Sequence, residues 1–93
     1  MILCNDVLDL DVDDLRGSRA EGTQPVIKLV QTRRALIRGC AAAENTGTFL
    51  AVRGDQTEKI VLMNNELSLA KQMADIGAEV PRGVVKIQGN VSG

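Results

Sequence analysis

The residue types that carry most enzyme chemistry are sparse in this chain. Its 93 residues include no histidine, although imidazole is the commonest general base and a frequent metal ligand. Ser/His and Cys/His nucleophile pairs are therefore excluded. Carboxylates can still do acid–base work, with Asp9, Asp11 or Asp55 as candidates, but their spacing identifies no substrate. The sequence favours a non-catalytic protein without a cofactor and leaves an enzymatic activity open.

Acidic residues are concentrated near the N-terminus, and carboxylates at alternate positions can bind a hard cation such as Ca²⁺. The glycine and the terminal glutamate that a helix–loop–helix calcium site requires are missing from this stretch. Apolar and acidic residues alternate over positions 9–12, which predicts a strand with one exposed face and no metal site. The acidic residues are Asp6, Asp9, Asp11, Asp13 and Asp14.

The two cysteines, Cys4 and Cys40, lie far apart in the sequence. We predict that both are reduced, partly buried thiols, because disulfides are uncommon in the cytosol and cysteine packs as a small apolar side chain. Cys40 falls in the second half of a predicted helix, where the helix dipole disfavours a thiolate. A reactive thiol at either position is the alternative.

The composition is that of an ordinary globular domain, with 44% hydrophobic and 25% charged residues. Phe49 is the only aromatic residue and the formal net charge is −1, so base stacking and an overall attraction for phosphates are both disfavoured. No apolar run approaches the roughly 20 residues that span a bilayer. We therefore expect a cytoplasmic protein that binds neither nucleic acid nor membrane.

Apolar periodicity predicts alternating strands and helices. The clearest helix signal covers residues 66–76, whose apolar side chains fall on one side at 100° steps, with Asn65 as the N-cap and Gly77 as the stop. Residues 33–44 are predicted to be largely helical, and residues 25–31 form either the start of that helix or a short strand. The apolar run 59–63 fits a strand or a helix. Other strands are predicted at 48–53, 78–80 and 83–88, with a turn at 54–57 and a loop at 17–24.

These elements predict a single α/β domain over residues 1–93, with residues 1–6 as an N-terminal extension and residues 89–93 as a loose tail. The expected architecture is a two-layer sandwich, in which two helices cover one face of a four-stranded mixed sheet. A ferredoxin-like order βαββαβ is one way to connect the elements. We detect no internal repeat.

Several short segments of the chain match a pattern found in one family of small proteins. They are Asp14-Leu15-Arg16-Gly17, Arg19, Pro25-Val26-Ile27-Lys28, Ala35-Leu36, residues 47–52 with Asp55, and residues 77–80. Through these segments residues 8–36 above all resemble the TusA/SirA family of small sulfur-carrier proteins, which implies the strand and helix order βαβαββ. In that family a cysteine at a helix N-terminus carries a persulfide, and its position falls here on Ala20, in a loop that residues 21–24 lengthen. The resemblance therefore implies a non-catalytic relative of sulfur-relay proteins.

The loop that precedes Pro25 is the candidate binding site, because its glycines and arginines could contact a protein partner or hold a small anion. Two alternatives stay open. One is a structural or oligomer-forming module with a ferredoxin-like sheet, whose acidic N-terminal strand pairs with another chain. The other is an active sulfur carrier that uses another cysteine. The predicted binding residues are Arg16, Gly17, Arg19, Ala20, Gly22, Thr23, Gln24 and Pro25.

Two further motifs have simpler explanations. The positive charges of Lys28, Arg33, Arg34 and Arg38 could hold an acidic partner or a phosphate, but the sequence favours a solvent-exposed helix face. The tripeptide at positions 53–55, Arg-Gly-Asp, occurs in adhesion ligands, but it also suits a turn that needs the backbone freedom of glycine.

Overall fold

The computed structural model describes residues 2–13, 25–43 and 46–92, and every regular element in these ranges is a β-strand. Most strands are short and rich in branched apolar residues, as is typical of strands with one buried face. They are β1 (Ile2–Asn5), β2 (Leu8–Asp13), β3 (Ile27–Val30), β4 (Arg33–Arg38), β5 (Thr46–Arg53), β6 (Glu58–Met63), β7 (Glu66–Leu67), β8 (Ala70–Ile76), β9 (Val85–Gln88) and β10 (Val91–Ser92).

The strands form three sheets in which every pair is parallel. The first sheet has the order β1-β3-β5-β8, the second has β2-β4-β6-β9, and the third pairs β7 with β10. Because consecutive strands belong to different sheets, the chain passes from one sheet to the next. It then returns to the first sheet one strand spacing further along. This is a parallel β-solenoid. We number its coils as first (residues 2–13), second (25–43), third (46–67) and fourth (70–92).

The winding has a period close to 25 residues. In the second sheet Leu10 pairs with Ala35, Ala35 with Ile60, and Ile60 with Val85, so each step covers 25 positions. The first sheet follows the same period with small adjustments, as Ile27 pairs with Leu50 and Leu50 with Ala74. The structure therefore contains a repeat that we did not detect in the sequence.

The core is a set of columns of inward-facing side chains, one from each coil. Ile37 and Leu62 stack in the second sheet, Leu29 and Val52 stack in the first, and all four are fully buried. Phe49, 1% exposed, adds the one aromatic ring to this core. In β4 and β6 alternation with period two places every second residue inside, whereas β5 buries the four consecutive residues 49–52.

One corner of the coil is stabilised by two asparagines that lie 25 residues apart. The Asn65 side chain is buried; its Oδ1 accepts from the Cys40 N–H at 2.9 Å, and its Nδ2 donates to the Ile37 carbonyl at 3.1 Å. Asn90 repeats the arrangement one coil later: its Oδ1 accepts from the Asn65 N–H and its Nδ2 donates to the Leu62 carbonyl. The two side chains thus tie three coils together.

The residue before this corner has left-handed backbone in each coil where it is described. Gly39, Asn64 and Gly89 have φ values of 65°, 53° and 67°. Glycine and asparagine are the residues that adopt this conformation at least cost. The left-handed backbone therefore explains the asparagine at position 64, whereas the side-chain hydrogen bonds explain the asparagine at position 65.

The expected α/β sandwich is wrong, and so is the ferredoxin-like alternative, because the described residues contain no helix and their four-stranded sheets are parallel. Residues 66–76, predicted as a helix, form β7 and β8; the described part of 33–44 contains β4 and no helix. Residues 78–80 form a turn rather than a strand. The strands predicted at 9–12 and 48–53 and the turn at 54–57 are confirmed, and the strand predicted at 83–88 is confirmed for residues 85–88. The strand interpretation also holds for 25–31 and 59–63, which contain β3 and β6.

Candidate interaction surface

The two ends of the solenoid differ from its middle because their strands are covered on one side only. Among the described residues, β8 and β9 are edge strands of the first and second sheets, and β1 and β2 are the opposite edges. An edge strand presents backbone N–H and C=O groups that can pair with another strand. The ends are therefore where this fold can bind an extended segment.

Exposed apolar side chains are concentrated at these ends. All six large hydrophobic residues that are exposed in the described part of the chain lie in the first coil or between the third coil and the end of the fourth. They are Leu3, Leu8, Leu69, Ile76, Ile87 and Val91.

Two of these side chains occupy core columns. Ile87 lies beside Leu62 in the register of the second sheet, and Ile76 lies beside Val52 in the first. Leu62 and Val52 are fully buried, whereas Ile87 is 45% exposed and Ile76 is 43% exposed. Fully burying an isoleucine contributes about 1.5–3 kcal/mol, so both side chains leave part of that stabilisation unused.

We name the edges of β8, β9 and β10, with the side chains of Ile76, Val85, Lys86 and Ile87, the fourth-coil face. A cleft of about 280 Å³ opens in it, lined mainly by apolar residues that include Ile76, Val80 and Val85, and also by Arg82. Lys86 is exposed on β9, and the described residues give it no ion-pair partner. The fourth-coil face thus combines an edge, an apolar cleft and a positive charge.

The opposite end is acidic. We name the edges of β1 and β2, with Cys4, Leu10, Asp11 and Val12, the first-coil face. Leu10 and Val12 are half-buried in the core columns, and residues 2–13 carry four aspartates and no basic residue. The two faces therefore have similar apolar interiors and opposite charge.

Two of the aspartates on β2 are neutralised within the chain. Arg34 donates to Asp9 at 2.7 Å, and Arg38 lies 3.7 Å from Asp13. Asp11, between them, has no ion-pair partner among the described residues. Arg34 and Arg38 lie on β4, whereas Lys28 lies on β3 in a different sheet, so the basic cluster considered from the sequence is divided between sheets.

Most of the predicted binding loop lies outside the described residues. The predicted binding residues outside the described ranges are Arg16, Gly17, Arg19, Ala20, Gly22, Thr23 and Gln24. Pro25 is described; it is half-buried and borders a polar groove of about 130 Å³ together with Lys28, Thr48, Arg53 and Asp75. Pro25 precedes a strand, so the helix N-terminus on which the sulfur-carrier resemblance depends does not follow it.

The remaining candidates have structural roles. Arg53 donates to the Asp75 carboxylate at 2.8 Å, and Asp55 accepts from Gln31, so the ends of the Arg-Gly-Asp tripeptide hold a turn between coils. Cys40 is buried, and its Sγ donates to the Arg38 carbonyl. Burial raises the pKa of the half-buried Cys4 thiol, which makes its thiolate less available.

One carboxylate has an altered acidity for a structural reason. The Gly54 N–H donates to Glu79 Oε2 at 3.0 Å, and this bond, with that from the Glu79 N–H, lowers the pKa of the carboxyl below its usual 4.5. Glu79 lies 25 residues after Gly54, so the bond joins two adjacent coils. It is a link between coils rather than a catalytic group.

Sequence reasoning missed the fourth-coil face because it assigned β8 to a helix. The signal that could have found it is the spacing of 25 residues shared by Leu10, Ala35, Ile60 and Val85 and by the two corner asparagines. A period of this length is typical of solenoids, whose end coils are distinct from the rest.

Within the described part of the chain, no helix is long and apolar enough to cross a membrane. The same residues contain no group of three or more acidic or cysteine side chains placed to hold a metal ion. Comparisons with protein-family models, with curated proteins and with solved structures gave no match to this chain.

Proposed function

We propose that this chain is a non-catalytic interaction module that binds a protein by accepting a β-strand at its fourth-coil face. The observation that carries the proposal is Ile87, an apolar side chain in a core column that is 45% exposed, where its equivalent one coil earlier, Leu62, is fully buried. A strand laid along β9 would pair with its edge and cover this side chain. Recognition of proteins by strand addition uses this combination of backbone pairing and side-chain pockets.

The chemistry of the face defines the partner. Val85 and Ile87 face the core column, while Lys86 between them is exposed. A complementary strand therefore has apolar residues at alternate positions and an acidic residue on its other face. The pairing of β2 with β4 is an example within the chain: Leu10 lies beside Ala35, Val12 lies beside Ile37, and the acidic side chains face outward.

The function expected from the sequence, in which residues 16–25 contact a partner or a small anion in the cytoplasm, stays a prediction. The described residues lend it one feature, the groove beside Pro25 and Lys28. An exposed apolar edge is the stronger support for binding, because exposed apolar surface in the core register has a direct energetic reason to be covered.

The test uses a fluorescent peptide of alternating valine and aspartate, about ten residues long, titrated with the protein. We expect anisotropy to rise with the native chain and to stay flat with Ile87→Lys, which places a charge in the contact. A peptide of the same composition with its valines and aspartates in separate blocks is the matched control and should bind at least about tenfold more weakly. Equal binding of both peptides, or binding of neither, contradicts the proposal. The urea midpoint of Ile87→Lys shows whether the variant is folded.

A further inference from the structure

We propose that the strand accepted by the fourth-coil face is β2 of a second copy of this chain, added head to tail in the register of the chain's own coils. The inference rests on the proposed function, because it names the partner of the same face. It is carried by the register of the two ends and by the shape and the charge of the side chains that this register brings together.

The register match follows from the period of the second sheet. Each coil advances 25 positions from Leu10 to Ala35, Ile60 and Val85. A copy placed as the next coil would set its Leu10 beside Val85 and its Val12 beside Ile87. These are the contacts that Leu10 and Val12 already make with Ala35 and Ile37 inside one chain, so the junction would repeat a pairing that the fold contains.

The shape match concerns Leu8, the most exposed of the large apolar side chains at 59%. Leu8 pairs with Arg33, and Arg33 with Glu58; the next position in this column is Gly83, which follows Glu58 by the same period of 25 residues. Gly83 lines the apolar cleft of about 280 Å³ in the fourth-coil face. In the stacked arrangement Leu8 of the second copy would therefore lie at the mouth of this cleft, where the glycine offers no side chain to obstruct it.

The charge match concerns Asp11 and Lys86, which both lack an ion-pair partner among the described residues. Asp11 pairs with Leu36, Leu36 with Val61, and Val61 with Lys86. One further step in this column brings Asp11 of the second copy beside Lys86. Two first-coil faces meeting each other would instead oppose aspartates, so charge selects the head-to-tail orientation.

When the fourth-coil face of one copy binds the first-coil face of another, the resulting dimer still has one free first-coil face and one free fourth-coil face. Further copies can therefore be added at both ends. Heterologous contacts of this kind produce open assemblies unless a rotation closes them. In a stack of parallel coils each copy would follow the previous one along the same axis. We therefore expect a ladder of oligomers that lengthens with concentration rather than a single dimer.

The test is a charge exchange followed by sedimentation velocity across a wide range of concentration. We expect the native chain to form a concentration-dependent series of oligomers, and Asp11→Lys or Lys86→Glu alone to associate about tenfold more weakly. A mixture of the two variants should associate again, because the lysine introduced by the first substitution then meets the glutamate introduced by the second. Lys59→Glu, the same charge reversal one coil further inside, is the matched control and should associate like the native chain. Asp11 and Lys86 are exposed, so the urea midpoints should stay close to that of the native chain.

The outcomes separate this inference from the proposed function. A native chain that stays monomeric at every concentration overturns the head-to-tail copy, and if the alternating peptide still binds, the proposed function stands with another partner. Self-association without recovery in the mixture overturns the proposed register and orientation. Failure of the peptide to bind together with failure to self-associate overturns both.

Discussion

Replacing Asn65 with alanine would remove the more deeply buried of the two asparagine side chains at the corner that joins the coils. The substitution eliminates the acceptor for the Cys40 N–H, the donor to the Ile37 carbonyl and the donor to Asn90 Oδ1, at 2.9, 3.1 and 2.8 Å. The backbone N–H of residue 65 keeps its bond to Asn90. The loss is therefore three hydrogen bonds made by one buried side chain.

The magnitude follows from their burial. Three hydrogen bonds at about 1 kcal/mol each give about 3 kcal/mol, and buried polar groups that lose a partner raise the cost further, to about 3–5 kcal/mol. A domain of this size typically has a free energy of unfolding of about 5–15 kcal/mol. Asn65→Ala should therefore remain folded at room temperature but lose a large share of its stability.

Equilibrium unfolding in urea, followed by far-ultraviolet circular dichroism, measures this loss. With a slope of about 1 kcal/mol per molar urea, we expect the midpoint to fall by roughly 3–5 M. Gln72→Ala is the control: Gln72 is exposed and accepts one hydrogen bond from Thr48 at 3.2 Å, so its cost should stay below about 0.5 kcal/mol. If the free energy of unfolding of Asn65→Ala were within about 1 kcal/mol of the native value, the corner asparagines would not be a main source of the solenoid's stability.

Three other predictions concern the core, the corner and acid stability. Phe49→Ala should lower the free energy of unfolding, measured in urea, by about 3–5 kcal/mol, because the ring is 1% exposed. A loss below about 1.5 kcal/mol would show that the core collapses into the cavity that the ring leaves. Asn64→Gly should be tolerated while Asn64→Val costs about 1–3 kcal/mol, since φ at this position is 53°; equal effects would contradict the role of backbone conformation. The lowered pKa of Glu79 means that its contribution to stability is present above about pH 4.5 and is lost as pH falls through the lowered value. The difference in thermal midpoint between the native chain and Glu79→Gln should therefore shrink as the pH falls below 4.5; a difference that stays constant would contradict this role of Glu79.

The strands that the sequence predicted correctly share one property: their alternation or branched residues fit a strand and little else. Residues 48–53 and 83–88 are of this kind, as are residues 9–12, where aspartates alternate with apolar residues. In each case the local preference and the final environment agree, because one face of the strand lines the core. Local patterns are sufficient where they coincide with the pattern of burial.

The helix predicted at residues 66–76 failed because its residues have a local preference that the solenoid overrides. Leu, Ala, Lys, Gln and Met favour helices intrinsically, and their spacing also fits one helical face. In the structure Leu67 is buried within β7, and residues 70–76 pair with β5 over Thr46, Leu50 and Val52. Those partners lie 24 residues earlier, outside any local window. Helix propensity of a few tenths of a kcal/mol per residue cannot outweigh a continuous ladder and a covered core.

The candidate site depended on the same long-range information. The sequence places the candidate site at residues 16–25 because the glycines and arginines of this local segment could hold an anion, whereas the fourth-coil face is formed by strands from separate parts of the fourth coil. Lys86 and Asp11 are ordinary exposed charges in the sequence. Only the register, which aligns them in one column with Leu36 and Val61, gives them complementary positions.

Several polar side chains of the described residues are engaged in holding the coils together. Four of these side chains form hydrogen bonds with groups about 25 residues away and so join adjacent coils: Asn65, Asn90, Gln31 and Glu79. They do not face one shared cavity. Groups engaged in this way are held by the structure and are poorly placed to exchange partners with a substrate. The capacity for new contacts remains at the ends, where Ile87 and Ile76 leave apolar surface uncovered and the edge strands leave backbone groups without a neighbouring strand among the described residues. The strand addition that we propose at the fourth-coil face would use the same contacts, since the added strand would take the position of a further coil.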